Sequence, residues 1–271
     1  MSRKSKQPKH KKSLATISSQ ADKLVDLISY QIFHKDYTEA IANCERLLSY
    51  LPQRAPQRVE VLAQLGTAHA MLQNFPQSYQ ALTEALAIDP NNADLLYNRG
   101  MASRFTSRFG QSFRDFERAV ELNTDVTLTK QFAEALKVSR KFATESMKQR
   151  GPNFTLDQLI EQEEHFHRGI ELMEAGRWDE AAQAFQASIA MGDCLPQPWG
   201  NLGISLIMQE RYDEAEAALK RALVIDPRYA IAKRNLAALP ETRRTGPPKM
   251  VEVSDPFKNA KIKQSITFRP E

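Results

Sequence analysis

The sequence predicts an all-α chain, an α-solenoid of about five stacked helix–turn–helix repeats in two arrays with basic tails. Three observations predict it. Residue pairs recur 34 apart: Gly66 and Gly100, Gly169 and Gly203, Trp178 and Tyr212, Ala181 and Ala215. Apolar residues fall at helical spacings, as in Trp199, Leu202, Leu206 and then Leu219 and Leu223. Helix formers dominate, and only 10 glycines interrupt 271 residues. A fixed period in this range means supersecondary units that cannot bury their apolar faces singly.

One unit shows the logic. Between Trp199 and Pro227 the chain runs Trp199-x-x-Leu202-Gly203, then Arg211-Tyr212-Asp213-Glu214-Ala215, then Ala222, and closes at Asp226-Pro227. Gly203, Ala215 and Ala222 sit where two helices must cross closely. Pro227 stops the second helix and disfavours helix at the residue before it. This stretch resembles a tetratricopeptide (TPR) repeat. The resemblance implies first helices lining a concave groove that holds extended or helical partner peptides, and second helices facing outward.

Residues 1–20 read as a disordered basic N-terminal tail, with six Lys or Arg and no acid in the first twelve positions. Such a tail is either a solubilising segment or an electrostatic contact for nucleic acid, an acidic partner or an anionic membrane. The net charge of +4 is uneven. Residues 1–12 carry +6 and residues 241–271 carry +3, leaving −5 on the body. The basic balance belongs to the tails, so it does not imply a basic binding surface on the fold.

Residues 21–126 form a first array of three repeats. In the first, Leu24, Leu27 and Ile28 line the opening helix, and Ile28 stands where the motif has Gly, which predicts a wider crossing. The second, 59–92, carries Leu62, Leu65-Gly66, Leu82, Ala85 and Asp89-Pro90, with His69 in the place of an inter-helix aromatic. The third, 93–126, carries Leu96, Gly100, Phe116 and Ala119, with Thr124 where Pro would end it.

Residues 127–154 break the period, because Gly151-Pro152 falls where a second helix should run. One long bridging or capping helix is expected over 127–149, with Leu128, Phe132, Leu136 and Phe142 as its stripe, followed by a linker. Residues 155–240 make a second array of two repeats and a capping helix. Thr155-x-x-Gln158 reads as a capping box opening it. The capping helix carries Ile231, Asn235 and Leu236, and Pro240 is expected to end it. Residues 241–271 lose helical periodicity and read as a flexible C-terminal tail, or as a short extended motif around Ile262, Ile266 and Phe268 that docks in a groove.

No phosphate loop, GxSxG elbow or HExxH segment is present, and no nucleophile, base and oxyanion donor assemble. The chain reads as non-enzymatic, with no cofactor and no metal. In Glu161-Gln-Glu-Glu-His-Phe-His167 the two histidines are two residues apart and point away from one another on a helix, so the cluster reads as a solvated face. Cys44 and Cys194 have neither metal nor CxxC spacing and read as free thiols. No run of 18 apolar residues and no secretory leader are found, which points to a soluble cytoplasmic protein.

The partner-binding groove is expected to use Tyr97, Asn98 and Met101 from the first array, and Phe166, Ile170, Asn201, Ile204, Met208 and Asn235 from the second. These residues either face the groove or face the core between helices, since a one-residue rotation exchanges the two. By resemblance, Asn98, Asn201 and Asn235 match the recurring Asn of family members that grip a carboxylate terminus. The companion Lys and Asn positions are Ala63 and Thr67 in one array, and Phe166 and Ile170 in the other. That departure argues against carboxylate-terminus capture. The function expected is a protein–protein interaction scaffold or adaptor capturing a partner peptide or helix. The alternative is a nucleic-acid- or ribosome-associated factor using the Lys-rich N-terminal tail.

Overall fold

A computed structural model describes residues 14–53 and 55–247, with side chains from residue 21 onward. The readings of residues 1–12 and of the tail around 251–268 lie outside the described residues. Among the described residues there are twelve α-helices and no strand. They divide into two compact units, one running to Ala102 and the other beginning at Ser103.

In the first unit, α1 (Leu14–Phe33) pairs with α2 (Tyr37–Tyr50) and α3 (Gln57–Met71) with α4 (Phe75–Ile88), followed by α5 (Ala93–Phe105). α1 begins at Leu14, inside the segment read as tail. Its inner face is Ala21, Val25, Ile28 and Ile32, which meets Ala40, Cys44 and Leu47 of α2 and Val61, Leu65 and Ala68 of α3. The i, i+4, i+7, i+11 spacing of that face is what forces the helix to lie flat on its neighbours.

The second unit runs α6 (Phe109–Leu122), α7 (Thr129–Arg150), α8 (Leu156–Glu174), α9 (Trp178–Met191), α10 (Pro196–Met208), α11 (Tyr212–Ile225) and α12 (Ala230–Thr245). Each first helix packs on the second helix that follows it, and α10 also packs on α9. The glycines act as the repeat requires. A Cβ on Gly169 would lie 2.5 Å from Phe185, and one on Gly203 would lie 2.7 Å from Leu219. Phe185 and Leu219 are fully buried as a result. In the first unit Gly66 stands in the same relation to Leu82, at 2.6 Å.

A second periodic device sits in the turns. Lys35, Gln73, Ser107, Gly176 and Glu210 all adopt left-handed backbone, with φ between 61° and 71°. Gln73 to Ser107 and Gly176 to Glu210 are each 34 residues. The residue after each donates its N–H to a carbonyl five residues back, for instance Arg177 to Leu172 at 2.8 Å and Arg211 to Leu206 at 2.9 Å. This Schellman-type closure satisfies the last carbonyls of the first helix and turns the chain into the second.

Two local readings change and one holds. The α7 stripe is Phe132, Ala135, Ser139 and Ala143, so Phe142 lies outside it, 44% exposed and stacked on Phe109 at 5.3 Å. Small residues at 135, 139 and 143 allow α6 to approach closely, which sets the rotation. Pro240 does not end α12, which continues to Thr245. Leu239 is buried on one side, and Arg243 pairs with Asp213 and Glu216 of α11 at 2.7 and 3.1 Å. These contacts hold the turn beyond the missing N–H. The Thr155–Gln158 capping box forms as the sequence suggests, each side chain meeting the other's backbone N–H.

Candidate functional site

The second unit contains a cavity of about 190 Å³. It opens between the end of α7, the middle of α8, the end of α9 and the start of α10, with the start of α6 at one wall. Its walls mix Phe109, Phe166, Leu195 and Pro198 with Arg150 and Gln197. A concave, largely apolar recess with a few fixed polar groups is the usual form of a recognition site.

The polar wall is built from the segment where the 34-residue period fails. Glu163 is 7% exposed and accepts hydrogen bonds from the backbone N–H of Phe109 at 2.9 Å and of Gly110 at 3.0 Å. Those are the first two residues of α6, whose N–H groups have no partner within the helix. The approach needs Gly110, since a Cβ there would lie 2.7 Å from Ile160. Burial pushes the Glu163 carboxyl up to about 8, although the Gly110 N–H, Arg150, the Phe109 N–H and Arg108 all favour its charged form.

One turn further along α8, His167 is buried. Burial holds it well below the ordinary imidazole range, the Arg108 charge adds to that, and a hydrogen bond to the Thr106 backbone opposes it. The ring is therefore neutral at physiological pH. Arg108 is itself buried, 3.8 Å from the exposed Glu171 carboxylate.

Gln162 ties three helices together. Its Nε2 donates to the carbonyls of Ser188 at 2.9 Å and Gly192 at 2.8 Å, and its Oε1 accepts from Nε of Arg150. Ser188 Oγ donates back to the Gln162 carbonyl at 3.1 Å. A Cβ on Gly192 would lie 2.9 Å from Gln162 Nε2, so glycine leaves room for this knot. Arg150 Nη1 also donates to the Ser146 carbonyl at 2.7 Å. Held at two nitrogens, the guanidinium has a fixed plane at the cavity wall.

The segment 161–167 is thus not a uniformly solvated face. Glu161 and Glu164 are exposed, but Gln162, Glu163 and His167 are buried. Leu159, Glu163, Phe166 and Ile170 follow the helical period that marks an inward face, so the signal was present in the spacing. Sequence reading also missed Arg150 and Gly110, whose roles depend on a non-local approach of α6, α7 and α8.

Of the nine expected groove residues, Tyr97, Asn98, Met101, Ile170, Asn201 and Ile204 are buried. Ile170 and Ile204 belong to the apolar core of the second unit, and Asn201 is 0% exposed. Phe166, Met208 and Asn235 are partly exposed. Phe166 lines the cavity and packs on Phe185 with ring centroids 5.8 Å apart. Asn235 Nδ2 donates to its own helix, at the Ile231 carbonyl 3.0 Å away. The structure brings Phe166 together with Arg150 and Gln197, while Met208 and Asn235 do not line the cavity.

Residues 166–237 match a family model described as tetratricopeptide repeat. Residues 166–237 carry tetratricopeptide repeats. The repeats at 166–237 hold α9 to α11 whole, together with the cavity-facing Phe166 and Gln197. A peroxisomal targeting signal receptor of Yarrowia lipolytica is 37% identical over 82 residues, 30% of this chain. That match covers 14% of the receptor's length. Among solved structures, the MamA protein is 16% identical, with coverage of 87% of this chain and 100% of that one and a TM-score of 0.38. The TPR2AB domain of yeast Sti1, solved in complex with pHSP90, is 15% identical, with coverage of 84% and 86% and a TM-score of 0.37.

Among the described residues, no helix is long and apolar enough to cross a membrane. Among the same residues, no group of three His, Cys, Asp or Glu side chains could hold a metal ion.

Proposed function

We propose that the chain is a non-enzymatic protein-interaction scaffold, and that the α7–α10 cavity of the second unit receives a side chain from a partner segment. The carrying observation is the recess itself: Phe166 and Leu195 offer apolar area beside an Arg150 guanidinium held in place by Ser146 and Gln162. A preformed recess on rigid helices keeps the ordering cost of binding low. The chemistry fits an apolar partner side chain with a hydrogen-bond acceptor, carbonyl or carboxylate, next to it. The tetratricopeptide repeats across 166–237 support the same reading.

Because Ile204 and Asn201 are buried, the contact residues in this reading are Phe166, Gln197, Gln149 and Arg150 rather than the apolar first-helix floor. Peptides selected from a random display library on the full chain test it. Phe166→Ala should weaken a selected peptide about tenfold or more with the helical circular dichroism unchanged. A photo-crosslinking residue at exposed Gln149 should label that peptide. Selected peptides that bind Phe166→Ala as tightly as wild type, and that label elsewhere, would remove the cavity from the function.

A further inference from the structure

Three side chains in the wall of the α7–α10 cavity carry a buried polar atom that has no hydrogen-bond partner among the described residues. The atoms are His167 Nε2, Ser107 Oγ and Gln197 Oε1. His167 as a whole is 9% exposed. Buried polar atoms are nearly always paired, so orphans gathered in one cavity wall point to groups that a ligand completes.

His167 sets the polarity of the missing partner. Its ring is hydrogen-bonded to the Thr106 backbone while Nε2 has no partner, so the bond is made at Nδ1. Nδ1–H donates to the Thr106 carbonyl. In a neutral ring Nε2 is then a bare acceptor, which calls for an O–H or N–H. Ser107 follows Thr106 on the turn into α6, and its hydroxyl can donate beside the imidazole. A glutamine amide can present either end, so Gln197 follows what the other two select. The apolar wall around them is Phe109, Phe166, Leu195 and Pro198.

The side chains that can enter sort by chemistry. A carboxylate has no proton for His167. A Lys ammonium has no acceptor for Ser107, and the Arg108 and Arg150 charges oppose it. A Trp N–H donates but cannot accept. An Asn amide or a Ser hydroxyl does both but leaves the Phe109 and Phe166 rings uncovered. A tyrosine meets every demand: its O–H donates, its oxygen accepts, and its ring covers the apolar wall.

We infer that the cavity is a tyrosine pocket, in which the phenol of a partner's tyrosine bridges His167 Nε2 and Ser107 Oγ and its ring packs on Phe109 and Phe166. The inference rests on the cavity being the binding site proposed above, and adds which side chain it takes. Arg150 is left for an acceptor next to that tyrosine. Residues 1–13 and 248–271 contain no Tyr, so neither tail supplies it. A site that pairs a hydroxyl rejects the analogue lacking it, because its own buried groups are then left unpaired.

The first probes are p-cresol and toluene, the side chains of Tyr and Phe, added to the full isotope-labelled chain. In amide NMR spectra p-cresol should shift Ser107, Phe166 and His167 at concentrations where toluene does not. Equal shifts from the two, or shifts confined to other residues, overturn the inference. The second probes are display-selected peptides that lose binding to Phe166→Ala. They should share a tyrosine, and changing it to Phe should weaken them about tenfold or more. In a His167→Phe chain of unchanged helicity, the Tyr and Phe forms should bind within about twofold of one another. The peptide comparison needs only the wild-type chain, so it decides even where His167→Phe does not fold. Peptides that need Phe166 but bind equally as Tyr and Phe forms overturn the tyrosine pocket and leave the cavity as the binding site. So does a Tyr preference that survives His167→Phe. Peptides indifferent to Phe166→Ala overturn both readings.

Discussion

Glu163 Oε2 accepts a hydrogen bond from the Gly110 backbone N–H at 3.0 Å, across 53 residues of sequence. Together with the Phe109 N–H, this bond lets α8 satisfy the N-terminus of α6 without a capping side chain from α6 itself, where Arg108 makes no side-chain cap. A carboxyl group supplied by another helix replaces the local Ser, Thr or Asp that normally does this work. It also pins α8 at the place where the 34-residue period is lost.

Burial of the same carboxyl group, against the pull of these bonds, makes stability depend on pH in an unusual direction. Burial raises Glu163 to about 8, against 4.5 when unfolded. Between those values the native state holds a proton that the unfolded chain releases, so stability is fully present below 4.5 and falls as pH rises through about 8. The expected loss is on the order of 1 kcal/mol per pH unit within that window. Urea denaturation of Glu163→Gln should show the slope flattened, since the amide does not titrate. Equal slopes in the two proteins would show that Glu163 is ionised throughout.

Gly169 and Gly176 separate two reasons for glycine in one repeat. A Cβ on Gly169 would meet the ring of the fully buried Phe185 at 2.5 Å. Gly169→Ala should destabilise the second unit by about 1–3 kcal/mol through overpacking. Gly176 has nothing within 4 Å of its would-be Cβ but sits at φ 71°. Gly176→Ala should cost about 1–2 kcal/mol from backbone strain alone. Adding Phe185→Leu should recover part of the loss in Gly169→Ala and none of it in Gly176→Ala. Thermal melts of both pairs decide it, and rescue of Gly176→Ala would refute this division.

Much of the fold was legible because its rules are periodic. The spacing of Gly66, Gly169 and Gly203 and of the apolar stripes fixes where helices cross. The backbone conformation of the turns was less legible. Lys35, Gln73, Ser107 and Glu210 take the same left-handed backbone without glycine, because the closing hydrogen bonds outweigh a penalty of about 1–2 kcal/mol. The candidate site was less legible. Glu163 and His167 read as surface residues by type, and only the position of α6 and α7 makes them interior. Ile204 fits groove and core equally from sequence, because adjacent faces of one helix differ by a single residue.

The two thiols should behave differently. Burial first, and the neighbouring Glu45 charge second, push Cys44 up to about 12. Since the thiolate is the reacting form, Cys44 should be inert in the native protein. Cys194 is half-buried in the segment before α10. Titration with a chromogenic disulfide reagent should therefore count one thiol in native protein and two in denaturant. Prompt reaction of two thiols in native protein would mean that the α1–α2 pair opens readily.

Pro240 offers a stabilising change. It lies inside α12 and denies Leu236 the N–H that would close the helical turn, yet the helix runs on to Thr245. Leu239 and the Arg243 pairs with Asp213 and Glu216 therefore work against a defect of up to about 3 kcal/mol. Pro240 itself is exposed, so replacing it removes no core contact. Pro240→Ala should raise the stability of the second unit by about 1–3 kcal/mol and strengthen amide exchange protection over 236–245. Arg243→Ala should weaken that protection in the wild-type background more than in Pro240→Ala, because the helix no longer needs the pairs to hold its last turn. If Pro240→Ala destabilises the chain, the proline ring contributes packing that outweighs the lost hydrogen bond.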